Sequence, residues 1–192
     1  MSAQPGPAPA LLTADEFWQL PDPPHGGRLE LVEGRVVEHM PVGERHGAIA
    51  AELVSVIRNF IKPHGLGRVD VETGFRVAAR PDTVLAPDVA WRAAERVNAP
   101  LSDRYVEGAP TLAIEIMSPE DREADVARKI ELYLDGGAER VWIVRPQNRT
   151  VTVHRPGGDA HTYSARDTLT SEDAAFPVPG FELPLAELFA EA

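Results

Sequence analysis

The chain has 192 residues, 43% hydrophobic and 26% charged, which fits one globular domain and excludes a disordered tail protein or a coiled coil. Its net charge of -11 argues against a simple polyanion-binding role, yet residues 28–104 hold eleven acids and eleven bases, so the excess sits at the two ends. With no cysteine there are no disulfides, thiolate metal sites or cysteine nucleophiles; a reducing compartment, the cytoplasm, is the expected address.

Residues 1–11 read as a Pro/Ala leader without the positive cluster and apolar run of a secretion signal, and residues 12–192 as a single domain. Thr13 followed by Ala14, Asp15 and Glu16 predicts a capped helix that stops before Pro21. RLELVEGRVVEHM alternates about Glu33-Gly34 and predicts a hairpin. The spacing of Ile49, Leu53, Val56, Ile57 and Phe60 predicts a helix from Glu44 to Ile61, ended by Pro63 and Gly65. GRVDVETGFRVA reads as strand–turn–strand, and VLAPDVAWR as one further strand, with Pro87 demanding an edge or a bulge. Residues 93–110 read as loop. TLAIEIMS is a strand buried on both faces, and a helix from Arg122 to Leu134 and the strand RVWIVR follow it. TVTVHR and AHTYSA form a second hairpin, and FPVPGFELPLAELFA is turn material closing with a short helix.

Three residues stand out chemically. In TLAIEIM, Leu112, Ile114 and Ile116 share one face, so Glu115 points to the other, beside Ala113. A carboxylate in a buried strand is costly unless paired or bound to a cation. A salt bridge to Arg140 or Arg145 is one solution. Asp88 poses the same question in APDVAW, where it either caps the turn after Pro87 or joins Glu115 in a hard-oxygen pocket suited to Mg²⁺ or Mn²⁺. The third is Lys129. Seventeen of the 19 basic residues are Arg, so a retained Lys is a candidate for a task that needs a compact ammonium, although an i,i+4 pair with Asp125 is the plain structural reading. The six His lack helical zinc-site spacing, and no phosphate-loop, dinucleotide or nucleophile-elbow motif is present.

The segments RLELVEGRVVE, ERHGAIAAEL, APDVAW, LAIEIMSPEDREADVARKIELYLDGGAERVWIVRP and PVPGFELPLAELF together resemble the Uma-two family of restriction-endonuclease-like proteins, over roughly residues 12–190. That family is similar to the PD-(D/E)XK nucleases. The resemblance implies a restriction-endonuclease-like α/β (α+β) fold, a mixed central sheet flanked by helices with additional terminal hairpins. It implies that Asp88 and Glu115 are metal ligands, with the main-chain carbonyl of Ile116, for Mg²⁺ or Mn²⁺. The basic motif places its Lys where this chain has Met117, so Lys129 stands as the migrated lysine and Glu30 as the acid that completes or orients the metal shell. His46 matches a recurrent histidine near the start of the long helix, where a structural role is equally open. The implied activity is a metal-dependent endonuclease acting on DNA. The alternative is a catalytically inactive nuclease-fold module for nucleic-acid or protein interaction. By analogy with nucleases that cut both strands, a homodimer is expected.

Overall fold

The computed structural model describes residues 10–97 and 100–190, so all but the end of the expected leader lies outside the described residues. Leu12 is already tied down, its N–H donating to the Gly34 carbonyl at 2.9 Å. Helix α1 (Ala14–Trp18) starts as its sequence demands: the Thr13 hydroxyl accepts from the Glu16 N–H, and the Glu16 carboxylate accepts from the Thr13 N–H. Strands β1 (Arg28–Val32) and β2 (Arg35–His39) form the expected hairpin. Its two-residue turn, Glu33 and Gly34, has both φ angles positive (51° and 77°), the twist that paired strands favour.

Helix α2 runs Glu44–His64, three residues beyond the expected end. Pro63 removes only one donor in the last turn, and the Gly65 N–H still reaches the Ile61 and Lys62 carbonyls from a left-handed cap. Its apolar stripe, Ile49, Leu53, Ile57 and Ile61, is fully buried.

Two sheets follow. Strands β3 (Arg68–Val71), β6 (Val89–Arg92), β8 (Leu112–Ile116), β9 (Arg140–Arg145), β10 (Thr150–His154) and β11 (Ala160–Ser164) make a mixed six-stranded sheet in the order β11-β10-β9-β8-β6-β3. Only β8 and β9 are parallel neighbours in it, and α3 (Glu123–Asp135) is their crossover. Strands β4 (Phe75–Ala78), β5 (Thr83–Leu85) and β7 (Val106–Glu107) join the first hairpin in a five-stranded sheet, β2-β1-β5-β4-β7. One face of the six-stranded sheet packs on α2 and on the C-terminal elements β12 (Thr168–Thr170), α4 (Ser171–Ala174), β13 (Glu182–Pro184) and α5 (Leu185–Leu188), around Trp91, Trp142, Phe176 and Phe181. The opposite face meets α3 and the five-stranded sheet around Phe75, Leu85, Ala113, Tyr133 and Ile143. Among the described residues no helix is long and apolar enough to cross a membrane.

Two expectations need correction. VLAPDVAWR is not one strand, because β5 belongs to the five-stranded sheet and β6 to the six-stranded one. Pro87 lacks the N–H to continue either ladder, and the chain changes sheets across Ala86–Asp88. Likewise β3 and β4 are not partners: β3 pairs with β6 and β4 with β5, so residues 72–74 cross between the sheets. The expected loop at 93–110 contains a short 3₁₀ turn (Ala94–Arg96) and β7, and positions 98 and 99 lie outside the described residues.

Candidate active site

The change of sheets creates the site. Asp88 ends the crossing segment just before β6, and the antiparallel register Val89↔Ile114 continues one step to bring Asp88 opposite Glu115 on β8. Alternation along β8 sends Leu112, Ile114 and Ile116 into the α2 side of the core, leaving Ala113 and Glu115 to face α3. From the other sheet, Glu30 enters on β1, on the face opposite buried Leu31. Lys129 descends from α3, one turn before Tyr133.

The four residues Glu30, Asp88, Glu115 and Lys129 meet in one buried cluster. Lys129 Nζ lies 2.8 Å from Glu30 Oε2 and 3.2 Å from Glu115 Oε2, so one ammonium joins acids from the two sheets. The plain reading of Lys129 does not hold, since it turns inward instead of pairing with Asp125, whereas Glu115 does stand in a buried salt bridge, made to Lys129. Glu115 takes neither expected arginine, since Arg145 pairs with Glu123 at 2.8 Å and Arg140 donates to the Glu172 and Glu139 carbonyls.

Each carboxylate is held on both oxygens. Glu30, fully buried, accepts the Ala86 N–H on Oε1 (2.8 Å), and its Oε2 lies 2.6 Å from His39 Nε2. Asp88 accepts the Ile116 N–H on Oδ2 (2.7 Å), while Oδ1 takes Arg28 Nη1 at 2.9 Å and lies 3.3 Å from His46 Nε2. Glu115 accepts from the Tyr133 hydroxyl on Oε1 (2.7 Å), with Arg28 Nη2 at 3.9 Å from Oε2. His46, whose role was open from the sequence, thus stands against Asp88. Arg28, His39 and Tyr133 were not anticipated. A signal existed for each: Tyr133 is four residues from Lys129 on one helix face, Arg28 is two from Glu30 on one strand face, and His39 is opposite Arg28 in the hairpin register.

The environments push these acids apart. Burial alone would raise Glu30, but Lys129, the His39 hydrogen bond and Arg28 outweigh it and bring its pKa down to about 2. Asp88 is also lowered, burial being overcome by His46 and Arg28. Glu115 moves the other way, raised by burial and by the neighbouring charges of Asp88 and Glu30 against the pull of Lys129. Lys129 itself is raised: its burial is outweighed by Glu115 and Glu30, which keep it an ammonium. Tyr133, buried beside two carboxylates, stays a phenol.

The donor set fits a hard divalent cation. Asp88, just before β6, and Glu115, on β8, would be the oxygen donors to such an ion, and Mg²⁺ needs only one or two carboxylates, completing its shell with water and phosphate. Among the described residues no three His, Asp or Glu side chains are already arranged as a ligand cage. The positions between the acids are held by the chain's own cations instead.

The mixed sheet flanked by helices, with acids and a helix lysine meeting where the two sheets join, is the architecture of the restriction-endonuclease-like fold. The chain belongs to the Uma2 family, described as "Putative restriction endonuclease", whose match spans residues 14–186. Among solved structures it is similar to a "putative nuclease belonging to DUF820" from Anabaena variabilis, with 28% sequence identity and a TM-score of 0.74, covering 93% of this chain and 98% of that one. No curated protein matches the chain.

Proposed function

We propose that this protein is a divalent-metal-dependent endonuclease that hydrolyses phosphodiester bonds in DNA. The observation that carries the reading is the lysine bridge: Lys129 Nζ stands within 3.2 Å of acids contributed by two different sheets, beside a third acid on the neighbouring strand. A structural role alone does not call for three carboxylates in one buried pocket, because each adds a desolvation cost that apolar side chains avoid.

In this reading Asp88 and Glu115, with the main-chain carbonyl of Ile116, hold Mg²⁺ or Mn²⁺. When bound, the ion lowers the pKa of a water and polarises the phosphodiester. The Ile116 N–H and His46 hold the Asp88 carboxylate, and Tyr133 holds that of Glu115, so the chain itself fixes the orientation of both. Lys129 acts as a positive charge that orients the attacking water and faces the negative charge growing on phosphate. Glu115 and Glu30 hold it as an ammonium in the metal-free arrangement. Glu30 orients Lys129 from behind. The test is incubation of the purified protein with supercoiled and linear DNA in Mg²⁺ or Mn²⁺. Cleavage should be lost in Asp88→Ala and Lys129→Ala, and activity unchanged in both would refute the assignment. Cutting two strands calls for two such sites, so the active form in this reading is a homodimer, to be checked by light scattering.

One observation favours the second reading, a catalytically inactive nuclease-fold module. Every oxygen of the three carboxylates already has a partner within the chain or faces one of its cations. Calorimetric titration with Mn²⁺ separates the two, because an inactive descendant takes up no metal that Asp88→Asn abolishes.

A further inference from the structure

Two cations divide the three acids between them, and they are not equivalent. Lys129 hangs from the middle of α3, is held at 2.8 and 3.2 Å by two acids, and fills the gap between Glu30 and Glu115. Arg28 begins β1 and fills the other gap, between Asp88 and Glu115, the two acids assigned above to the metal. Its hold is lopsided, 2.9 Å to Asp88 but 3.9 Å to Glu115. Its Nε is buried without a partner. An unpaired buried N–H on a charged group is expensive, so this guanidinium is less well satisfied than its neighbour. Its side chain is also the more exposed of the two, 22% against 13%, which leaves a way out to solvent.

We propose that Arg28 is an exchangeable counter-cation: it occupies the seat between Asp88 and Glu115 in the metal-free protein, is expelled when a divalent ion enters, and then grips the scissile phosphodiester. This rests on the metal reading above. A guanidinium and a divalent ion cannot share one gap between two carboxylates, and the double charge wins where both oxygens close on it. The displaced group remains tethered at the rim, where its planar fork matches two phosphate oxygens. Without metal, the same group compensates acids whose charges would otherwise repel.

The experiment is calorimetric titration of Mn²⁺ into the intact protein, without DNA, for wild type, Arg28→Gln, Arg28→Lys and Asp88→Asn, each first checked for a cooperative melt. Removing the competitor should tighten Mn²⁺ binding by about tenfold or more in Arg28→Gln. Arg28→Lys, a cation without the fork, should fall between, and it carries the comparison if the glutamine variant does not fold. The second half is read with a short DNA duplex in Ca²⁺ by fluorescence anisotropy, where Arg28→Gln should bind about tenfold more weakly than wild type. If wild type binds Mn²⁺ and Asp88→Asn does not, yet neither Arg28 variant binds more tightly than wild type, the exchange is overturned while the metal site stands. If metal binding tightens but duplex affinity is unchanged, the phosphate role of Arg28 falls. If no variant binds Mn²⁺, the metal reading falls and the exchange with it.

Discussion

Glu30 and Glu115 share one ammonium that lowers both, yet their pKa values move in opposite directions, because burial and the charges of Asp88 and Glu30 outweigh it at Glu115 whereas Glu30 has further positive partners. Glu30 has Lys129, His39 and Arg28; its pKa falls from 4.5 to about 2. A group whose folded pKa is depressed contributes stability that is complete above its unfolded value and is lost as pH falls through the folded one. Urea unfolding of the wild type between about pH 5 and pH 2 should therefore lose roughly 3 kcal/mol from this residue, a loss that Glu30→Gln flattens. Glu115, raised by its burial, has the reverse sign: its ionised form costs the folded state at neutral pH and becomes less costly in acid. Glu115→Gln should change neutral-pH stability by less than about 1 kcal/mol. Lys129→Met, which strands both acids without their cation, should cost about 3–5 kcal/mol in the same denaturation experiment. Asp88, Glu115 and Lys129 were legible in the sequence because each is anomalous where it stands: acids beside or within apolar strands, and one of only two lysines. Arg28 stands two residues from Glu30 on one strand face but has no anomaly of its own, being one arginine among 17 at a strand start, so only its relation to Glu30 could have marked it.

At the level of elements, the hairpin β1–β2 was predictable from its alternation and turn, and so were α2 and α3 from their apolar spacing. What escaped was which sheet each strand joins. VLAPDVAWR has the pattern of one strand, and only the contacts of its two halves reveal the change of sheet at Pro87. That corner brings the Ala86 N–H to Glu30 and Asp88 to Glu115, so a local reading could name the acids but not the element that unites them. The hairpin turn is the other positioning device, because Arg28, Glu30 and His39 all come from its two strands. Gly34 has φ +77°, and a Cβ there would lie 2.6 Å from Leu11 Cβ. Gly34→Ala should cost about 1–3 kcal/mol in thermal or urea unfolding through strain and this contact. Displacing the turn should also reduce DNA cleavage, whereas Gly158→Ala, in the distant β10–β11 turn, meets nothing within 4 Å and should strain its own backbone without affecting cleavage.

For the whole molecule, the difficulty is a chain of net charge -11 reading as a nuclease. Five of the described arginines sharpen it. Arg96 pairs with Glu139, Arg104 with Asp15, Arg128 with Glu33 and Glu131, Arg145 with Glu123, and Arg155 with Asp159 and Asp173. Each of these partners must be given up before those five arginines can neutralise a phosphate, and the exposed arginines without an ion pair among the described residues (Arg35, Arg45, Arg58, Arg80, Arg122, Arg149 and Arg166) are spread over several elements, so few of them meet one duplex together. DNA affinity falls with salt in proportion to the phosphates neutralised, with a slope near -0.9 per contact for duplex DNA. This protein should therefore show a slope no steeper than about -4 in a plot of log affinity against log salt, where a basic protein making many contacts gives about -6 to -9. In the metal-dependent reading a divalent ion would supply the remaining attraction at the site itself, so binding to a short duplex should strengthen in Ca²⁺ and lose that gain in Asp88→Asn. Anisotropy titrations across a salt series, with and without Ca²⁺, measure both quantities. A slope near -8 independent of metal would mean that an arginine face, freed from its acids, binds DNA in place of the buried cluster.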